Sequence, residues 1–326
     1  MARVVYSGSP DGSIAQSCAG RVCEAVRSIG TMKLLGYSLL LSTLATGCVG
    51  ALKSAPASRA SSPATSTSAT SEPATPPRNS SAALPAAVAA FDAEHVTGAM
   101  ALYDTRDGKL ACSDATRCER GYIPASTFKI VSTLIGLETG VVSDADSPLP
   151  WDGKQYSNPN WNRDHTLRSA VQVSCVPCFQ SIARQVGEAQ MKDWVNRLDY
   201  GNRDISGRLD FFWLGGALRI SPFQQLDFLR RLDGGKLPIQ ERTLDTVRDV
   251  FTLDVGPDHV LRGKTGSAGP PEQPSEVGWF VGFVEIGERR VFFATVLDGH
   301  GPDVDMLPVR RRVTERVLRE LGDLPS

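Results

Sequence analysis

The pattern of apolar and polar positions divides the chain into an irregular first part and a regular second part. Residues 49–85 are dominated by Ser, Ala, Thr and Pro and have no hydrophobic periodicity, which is typical of a disordered tether. From residue 86 to residue 326, apolar positions recur at the spacings of helices and strands. We therefore expect a single folded domain over 86–326.

In the folded part, the spacing predicts strands near both ends and helices between them. The predicted strands are 98–104, 109–113, 259–265, 278–285 and 290–297. The predicted helices are 85–94, 126–139, 167–186, 190–198, 223–232 and 308–321, and Ser221 and Gln224 form a capping box for the fifth. This order predicts an α+β fold, in which an antiparallel β-sheet is flanked by helices and a mainly helical region is inserted at 141–258.

The segment before the tether has the features of an export signal. Met32 and a lysine precede the short apolar run 34–44, and small residues lead to Cys48, as in a bacterial lipoprotein signal over 32–48. We expect an exported, periplasmic protein that a lipid on Cys48 can anchor to a membrane; ordinary secretion and a buried helix at 34–44 stay open as alternatives. Residues 1–31 are expected to be an upstream extension.

Charge and cysteine usage narrow the function further. The chain has 35 basic and 36 acidic residues, a balance that gives no reason to expect a nucleic-acid partner. Export implies an oxidising compartment, so Cys112 and Cys118, which flank a polar stretch resembling a hairpin tip, are expected to form a disulfide. For Cys175 and Cys178 we expect small buried residues of a helix rather than a metal or redox site, because the four histidines are scattered along the sequence.

Two short motifs carry candidate chemistry. Ser126 lies three residues before Lys129 at the start of an apolar helical stretch, which puts a hydroxyl and an amine on one helix face, one turn apart. A hydroxyl needs a nearby base to become a nucleophile, and the amine can supply it. Lys264-Thr265-Gly266, on a predicted strand, offers a cation, a hydroxyl and a glycine that permits close approach.

The series of motifs resembles the penicillin-recognising serine enzymes and, in detail, the class D β-lactamases (oxacillinases). The matching stretches are Pro-Ala-Ser-Thr-Phe-Lys at 124–129, Gly-Leu-Glu-Thr-Gly at 136–140, Ser-Cys-Val at 174–176, Tyr-Gly-Asn at 200–202, Ile-Ser-Gly at 205–207, Phe-Trp-Leu at 212–214, Ile-Ser-Pro at 220–222, Lys-Thr-Gly at 264–266 and Trp-Phe-Val-Gly at 279–282. The resemblance covers essentially the whole folded part.

The resemblance implies a role for each matching residue. Ser126 is then the nucleophile, Ser174 a proton relay, and Lys129 an N-carboxylated base that needs carbon dioxide or bicarbonate but no other cofactor and no metal. The apolar pocket around the carboxylated lysine would consist of Phe128, Val176, Trp213 and Leu214. The implied substrate-binding residues are Tyr200, Lys264, Thr265, Gly266, Ser267 and Arg310.

The activity that follows is hydrolysis of the β-lactam amide of penicillins through a serine acyl-enzyme, with resistance to these antibiotics as its consequence. Two alternatives stay open at this point. One is a sensor domain that is acylated by a β-lactam and stays acylated; the other is a D,D-peptidase-like enzyme that uses Tyr200 as its base. Ser267 and the run Ser-Pro-Phe-Gln-Gln at 221–225 depart from the usual family pattern and leave the substrate spectrum open.

Overall fold

The computed structural model describes residues 81–269, 276–301 and 303–325. The predicted extension at 1–31, the predicted signal at 32–48 with Cys48, and most of the predicted tether lie outside the described residues. The strands β1 to β9 are, in order, Ala82–Ala83, Val96–Asp104, Lys109–Cys112, Pro148–Leu149, His165–Thr166, Thr252–Val255, Val260–Ala268, Val277–Ile286 and Arg289–His300. The helices α1 to α9 are Pro85–Ala93, Ala115–Glu119, Lys129–Glu138, Leu167–Gln172, Val176–Val186, Glu188–Arg197, Pro222–Asp233, Glu241–Val250 and Met306–Glu320.

Seven of the described strands form one sheet, in the order β1-β3-β2-β9-β8-β7-β6. All neighbours are antiparallel except β1 and β3. Strand β2, near the start of the fold, pairs with β9, near its end, so both ends of the domain build one sheet. The predicted α+β class is therefore confirmed, and so is the helical region inserted between the two sets of strands.

The sheet is apolar on both faces because helices cover both. On β8, Trp279, Val281 and Phe283 point into a core shared with the inserted helices, whereas Phe280 and Val284 point into a second core with α1 and α9. This alternation follows from the period of two along a strand. It also explains why the strand reads as a continuous apolar run in the sequence.

Several predicted boundaries are confirmed by local chemistry. The hydroxyl of Ser221 accepts a hydrogen bond from the Gln224 N–H, and the Gln224 side chain accepts one from the Ser221 N–H, so the predicted capping box opens α7. Helix α3 ends where Gly140 adopts a φ of 74°. No helix in the described ranges is long and apolar enough to span a bilayer.

Three predicted elements were wrong in detail. The helix predicted at 126–139 is a 3-10 turn, Ala125–Phe128, followed by α3. The helix predicted at 167–186 is two helices, α4 and α5, because Ser174 takes a positive φ of 51° between them. The polar stretch between Cys112 and Cys118 is a short helix rather than a hairpin tip, because the Asp114 side chain caps α2 by accepting from the Arg117 N–H.

Candidate active site

The candidate nucleophile lies on a turn that two neighbouring segments hold in place. Within the 3-10 turn, Ala125 has a φ of 50° and donates its N–H to the carbonyl of Trp213 at 2.9 Å. The indole N–H of Trp279, on β8, donates to the carbonyl of Ile123 just before the turn. The turn is thereby fixed both to the sheet and to the loop that carries Trp213, and Ser126 remains half-exposed.

Strand β7 runs directly against this turn, and only a glycine fits at the contact. A Cβ on Gly266 would lie 3.0 Å from the carbonyl oxygen of Pro124 and 3.1 Å from the backbone nitrogen of Thr127. The close approach brings the Lys-Thr-Gly motif beside the Ser-x-x-Lys motif, as their chemistry requires. Along β7, Lys264 and Gly266 are buried while Thr265 and Ser267 are partly exposed.

The buried Lys129 amine contacts the hydroxyl of the partly exposed Ser126. Nζ of Lys129 lies 2.8 Å from Oγ of Ser126, and the lysine is 0% exposed. The ring centroid of Phe179 lies 5.4 Å from the same nitrogen. Burial first, and the charge of Lys264 second, hold the pKa of the Lys129 amine well below its usual value. A neutral amine at this position can accept the serine proton.

A buried lysine and a partly buried arginine lie next to the motif. The Lys264 amine donates to the carbonyl of Thr265, and burial, together with the charge of Arg310, lowers its pKa to about 7. Arg310, in the first turns of α9, donates to the carbonyl of Gly266 at 2.8 Å, and burial lowers its pKa to about 10, although Asp305 opposes the shift. Within the described ranges, no carboxylate pairs with Lys129, Lys264 or Arg310, so these side chains remain available to an anionic ligand.

Aromatic rings pack on Phe128, the residue before the lysine, and leave one polar atom unmatched. Phe128 stacks on Trp213 with a centroid separation of 5.5 Å, and Phe212 packs edge-on against both rings. The indole nitrogen Nε1 of Trp213 is buried without a hydrogen-bond partner among the described residues. A buried donor of this kind costs free energy unless an acceptor satisfies it. Val176, at the start of α5, and Leu214 are half-buried.

The predicted substrate contact of Tyr200 was wrong. The residue is 0% exposed, and its hydroxyl accepts from the Gln225 amide at 3.2 Å. The same amide donates to the hydroxyl of Thr127, in the turn that carries the nucleophile. Burial raises the pKa of Tyr200 far above neutrality. Tyr200 therefore supports the turn from behind and can neither reach a substrate nor act as the base.

Ser174 lies between two helices, and a surface cleft borders the segments that carry the site residues. Ser174 is half-buried at the junction of α4 and α5, and the next residue, Cys175, starts the helix that carries Phe179. A cleft of about 470 Å³ opens beside the turn, and its walls include Ile123, Leu214 and Ala268. These three residues flank or belong to the segments that carry Ser126, Trp213 and Ser267. The described lining of this cleft does not include Ser126 or Lys129, so the cleft borders the segments of the site without enclosing the nucleophile.

Two disulfides are present in the described part of the chain. One joins Cys112 to Cys118 and ties α2 to the end of β3. The other joins Cys175 to Cys178 across the first turn of α5, a pairing that the sequence left undecided. The four histidines are scattered along the sequence, but the fold brings one of them, His165, next to the second cysteine pair.

Sequence reasoning missed three supporting residues. Gln225 is buried and bonds to both Thr127 and Tyr200, Phe179 contacts the lysine amine, and Phe212 packs on the indole. Gln225 lies in the run that departs from the family pattern, which was the one available signal. The apolar residues gave no signal because any core helix contains similar ones.

Comparisons with known proteins agree with this geometry. The family model described as "Penicillin binding protein transpeptidase domain" matches residues 87–319. The chain is 39% identical over 228 residues to beta-lactamase OXA-48 of Klebsiella pneumoniae, covering 70% of this chain and 84% of that protein. It is also 39% identical over 233 residues to beta-lactamase OXA-10 of Pseudomonas aeruginosa, covering 71% of this chain and 87% of that protein.

The solved structures give the same result. A class D beta-lactamase from Nostoc shares 40% of its sequence with this chain, with a TM-score of 0.69 over 73% of this chain and 99% of that one. A class D β-lactamase from Fusobacterium nucleatum aligns with a TM-score of 0.69 at 33% identity, over 73% of this chain and 98% of that one. The motifs, the sheet with its inserted helices and these similarities lead to one conclusion: the chain belongs to the class D serine β-lactamases, within the penicillin-binding transpeptidase family.

Proposed function

We propose that the protein hydrolyses the β-lactam amide of penicillins through an acyl-enzyme on Ser126. The observation that carries this proposal is the 2.8 Å contact between the Ser126 hydroxyl and a fully buried Lys129 amine. Such an amine is a proton acceptor and not a solvated ammonium. The β-lactam activity named for OXA-48 and OXA-10, both 39% identical to this chain, supports the same reaction.

We further propose that Lys129 is carboxylated by carbon dioxide. The surroundings fit the added carboxylate: Trp213 offers an unpaired buried N–H, and Lys264 and Arg310 provide positive charge without carboxylate partners in the described ranges. A lowered pKa keeps the amine neutral, as reaction with carbon dioxide requires. When present, the carboxylate supplies an anionic oxygen base beside the serine.

Other side chains and backbone groups of the chain then bind the substrate and carry out the remaining steps of acylation. Lys264, Thr265 and Arg310 bind the carboxylate that penicillins carry, and this attraction orients the lactam carbonyl toward Ser126. The serine oxygen forms a bond to the carbonyl carbon while its proton leaves toward the side chain of Lys129. The carbon–nitrogen bond of the ring breaks, and Ser174 passes a proton to the departing nitrogen. Backbone N–H groups of Ser126 and Ser267 stabilise the negative oxygen, each worth about 10²- to 10³-fold in rate.

Deacylation distinguishes this reaction from that of the two alternatives. Water must attack the acyl-enzyme, its proton must pass to the base at Lys129, and the serine oxygen must leave with a proton. A sensor or a poorly turning-over peptidase would stop before this step. The burial of Tyr200 argues against a tyrosine base. Lys129 is then the base in both proton-transfer steps.

Turnover of a chromogenic cephalosporin tests the proposal. We expect many turnovers per enzyme molecule, complete loss of covalent β-lactam labelling in Ser126→Ala by intact-mass spectrometry, and normal labelling in the matched control Ser181→Ala on the exposed side of α5. A single burst equal to the enzyme concentration would favour the sensor, and an adduct that persists in Ser126→Ala would overturn the nucleophile assignment.

We also propose export to the periplasm with a lipid on Cys48, which together with the expected resistance role rests on the sequence at 32–48 and on the family. Residues 82 and 83 of the predicted tether belong to β1 and Pro85 begins α1, but the part before them is long enough to let the domain reach substrates away from a membrane surface. Expression in a Gram-negative host tests this: we expect membrane-fraction protein with a lipidated N-terminus, and release into the soluble periplasm on Cys48→Ser. Unmodified protein in the soluble fraction alone would exclude the anchor.

A further inference from the structure

We propose that Cys175, Cys178 and His165 form, after reduction of the disulfide, a binding site for a thiophilic divalent cation such as Zn²⁺. The potential ligand atoms of the three residues lie within 4.8 Å of one another. Two sulfurs and an imidazole nitrogen around one tetrahedral zinc ion are separated by about 3.5–3.8 Å, given zinc–ligand bonds of about 2.0–2.3 Å. The observed cluster needs only small side-chain rotations to reach this spacing.

The backbone around the cysteines favours thiolates. Cys175 is the N-cap of α5, and its sulfur already accepts a hydrogen bond from the Cys178 N–H at 3.2 Å. Both residues lie at the N-terminus of an 11-residue helix, where the dipole and free N–H groups stabilise negative charge. Two thiolates held in this way are the ligand pair of many zinc sites with Cys-x-x-Cys spacing.

The hydrogen bonds of the histidine favour the tautomer in which Nδ1 can act as a ligand once the Ser169 hydroxyl releases it. Nε2 of His165 lies 2.9 Å from the carbonyl oxygen of Asn160, which can only accept, so the neutral ring carries its proton on Nε2. The lone pair is then on Nδ1, which lies 2.9 Å from the Ser169 hydroxyl. A backbone carbonyl on the far nitrogen is the usual outer contact of a metal-binding histidine.

The two states interconvert by a balanced redox step. A small dithiol reductant delivers two electrons and two protons; the Cys175–Cys178 bond breaks, two thiols form, and the reductant becomes a disulfide. Binding of the cation then releases the thiol protons to solvent. Cys178 is partly exposed, so a reductant can reach it, whereas Cys175 and His165 are buried. The fourth position on the metal would face the exposed side, open to water.

The test compares zinc retention by oxidised and reduced full-length protein. The protein is reduced with a dithiol, desalted without oxygen, and titrated with Zn²⁺ against a chromogenic chelator. We expect reduced native protein to bind one more zinc ion per chain than oxidised native protein or reduced Cys175→Ser/Cys178→Ser, which retains every other cysteine. Reduced His165→Gln should bind that ion at least about tenfold more weakly.

Cobalt provides a readout that needs no variant. Co²⁺ added to the reduced native protein should give a thiolate-to-cobalt charge-transfer band and the visible spectrum of a tetrahedral site, both absent from the oxidised protein. Equal zinc binding by reduced native protein and the double variant, or a cobalt spectrum without thiolate bands, would overturn the proposal. Because these readouts do not depend on β-lactam turnover, the outcome is independent of the proposed enzymatic function.

Discussion

Two regions of the molecule hold buried or partly buried cationic side chains. They differ in whether carboxylates pair with these side chains. Arg289, on β9, bonds to the carboxylates of Asp104 and Asp323, each at 2.7 Å. The hydrogen bond to Asp104 raises the pKa of Arg289. Burial acts to raise the pKa of Asp104, but the bonds from Arg289 and from the Arg106 backbone outweigh it and hold that pKa low.

In the active site, by contrast, Lys129 and Lys264 are buried and Arg310 is partly buried, all without a carboxylate partner in the described ranges, and burial lowers the pKa of all three. The first region pairs its charges within the fold, although burial still raises the pKa of Asp323. The second leaves them unsatisfied, at a cost in stability, so that anions from outside can bind there. We infer that this cluster is a ligand-binding site.

The largest expected effect is at Lys129, where a substitution should lower activity without lowering stability. Lys129→Met keeps the side-chain volume but removes the base, so we expect turnover to fall by about 10³-fold, a typical loss for a general base. The free energy of unfolding should not decrease, because an unpaired buried amine is replaced by an apolar group. Steady-state kinetics and urea unfolding measure the two quantities, with the exposed Lys192→Met as control. Retention of a tenth or more of native turnover would contradict the assignment.

At Arg289, a substitution should lower stability without lowering activity. Arg289→Met leaves Asp104 and Asp323 without their partner, so we expect a loss of about 3 kcal/mol in unfolding free energy, the low end for breaking a buried ion pair. Turnover of the folded enzyme should stay native. Arg319→Met, which breaks a more exposed pair with Glu315, should cost at most about 1 kcal/mol. Equal losses in the two variants would remove the distinction between the regions.

Trp213 tests whether an anion occupies the unsatisfied region. Trp213→Phe removes the unpaired N–H but keeps an aromatic ring, so carboxylated Lys129 loses one donor. We expect about tenfold lower turnover in bicarbonate-free buffer, the cost of one charged hydrogen bond, and recovery on addition of bicarbonate. Trp194→Phe, buried in α6, should show neither effect. A Trp213→Phe loss that bicarbonate does not change would point to simple repacking.

Lys264 should contribute a pH dependence of the free energy of unfolding. Its pKa is about 7 when folded and 10.5 in the reference state, so between these values the unfolded chain binds more protons. The free energy of unfolding therefore rises with pH across this window. Lys264→Met should flatten that rise, whereas Lys192→Met should retain it. Urea unfolding at pH 7 and pH 9.5 measures the difference, and an unchanged slope in Lys264→Met would show that the lysine is not buried as an unpaired group.

Structural features that depend on residues close together in the sequence were predictable. Long apolar runs identified the central strands because both faces of the sheet are covered, and the Ser221 capping box located the start of α7. The spacing of Ser126 and Lys129 implied their contact because both lie within one turn.

Features that depend on distant segments were not predictable. The apolar pattern of 167–186 is continuous, yet Ser174 breaks it by adopting a left-handed conformation. Tyr200 belongs to a recognisable motif, but its burial behind Thr127 depends on Gln225 from another helix. The approach of His165 to Cys175 likewise arises only when β5 packs on the α4–α5 junction.

The most direct test of the central claim is carbon-13 NMR of the full-length enzyme with labelled bicarbonate. If the unpaired cations and the free Trp213 donor are reserved for an anion on Lys129, native protein should give one carbamate resonance that is absent from Lys129→Met. The signal and the turnover should disappear together at acid pH and return together when bicarbonate is restored. An active native enzyme with no carbamate resonance and no response to bicarbonate would contradict the account and leave the neutral Lys129 amine as the base.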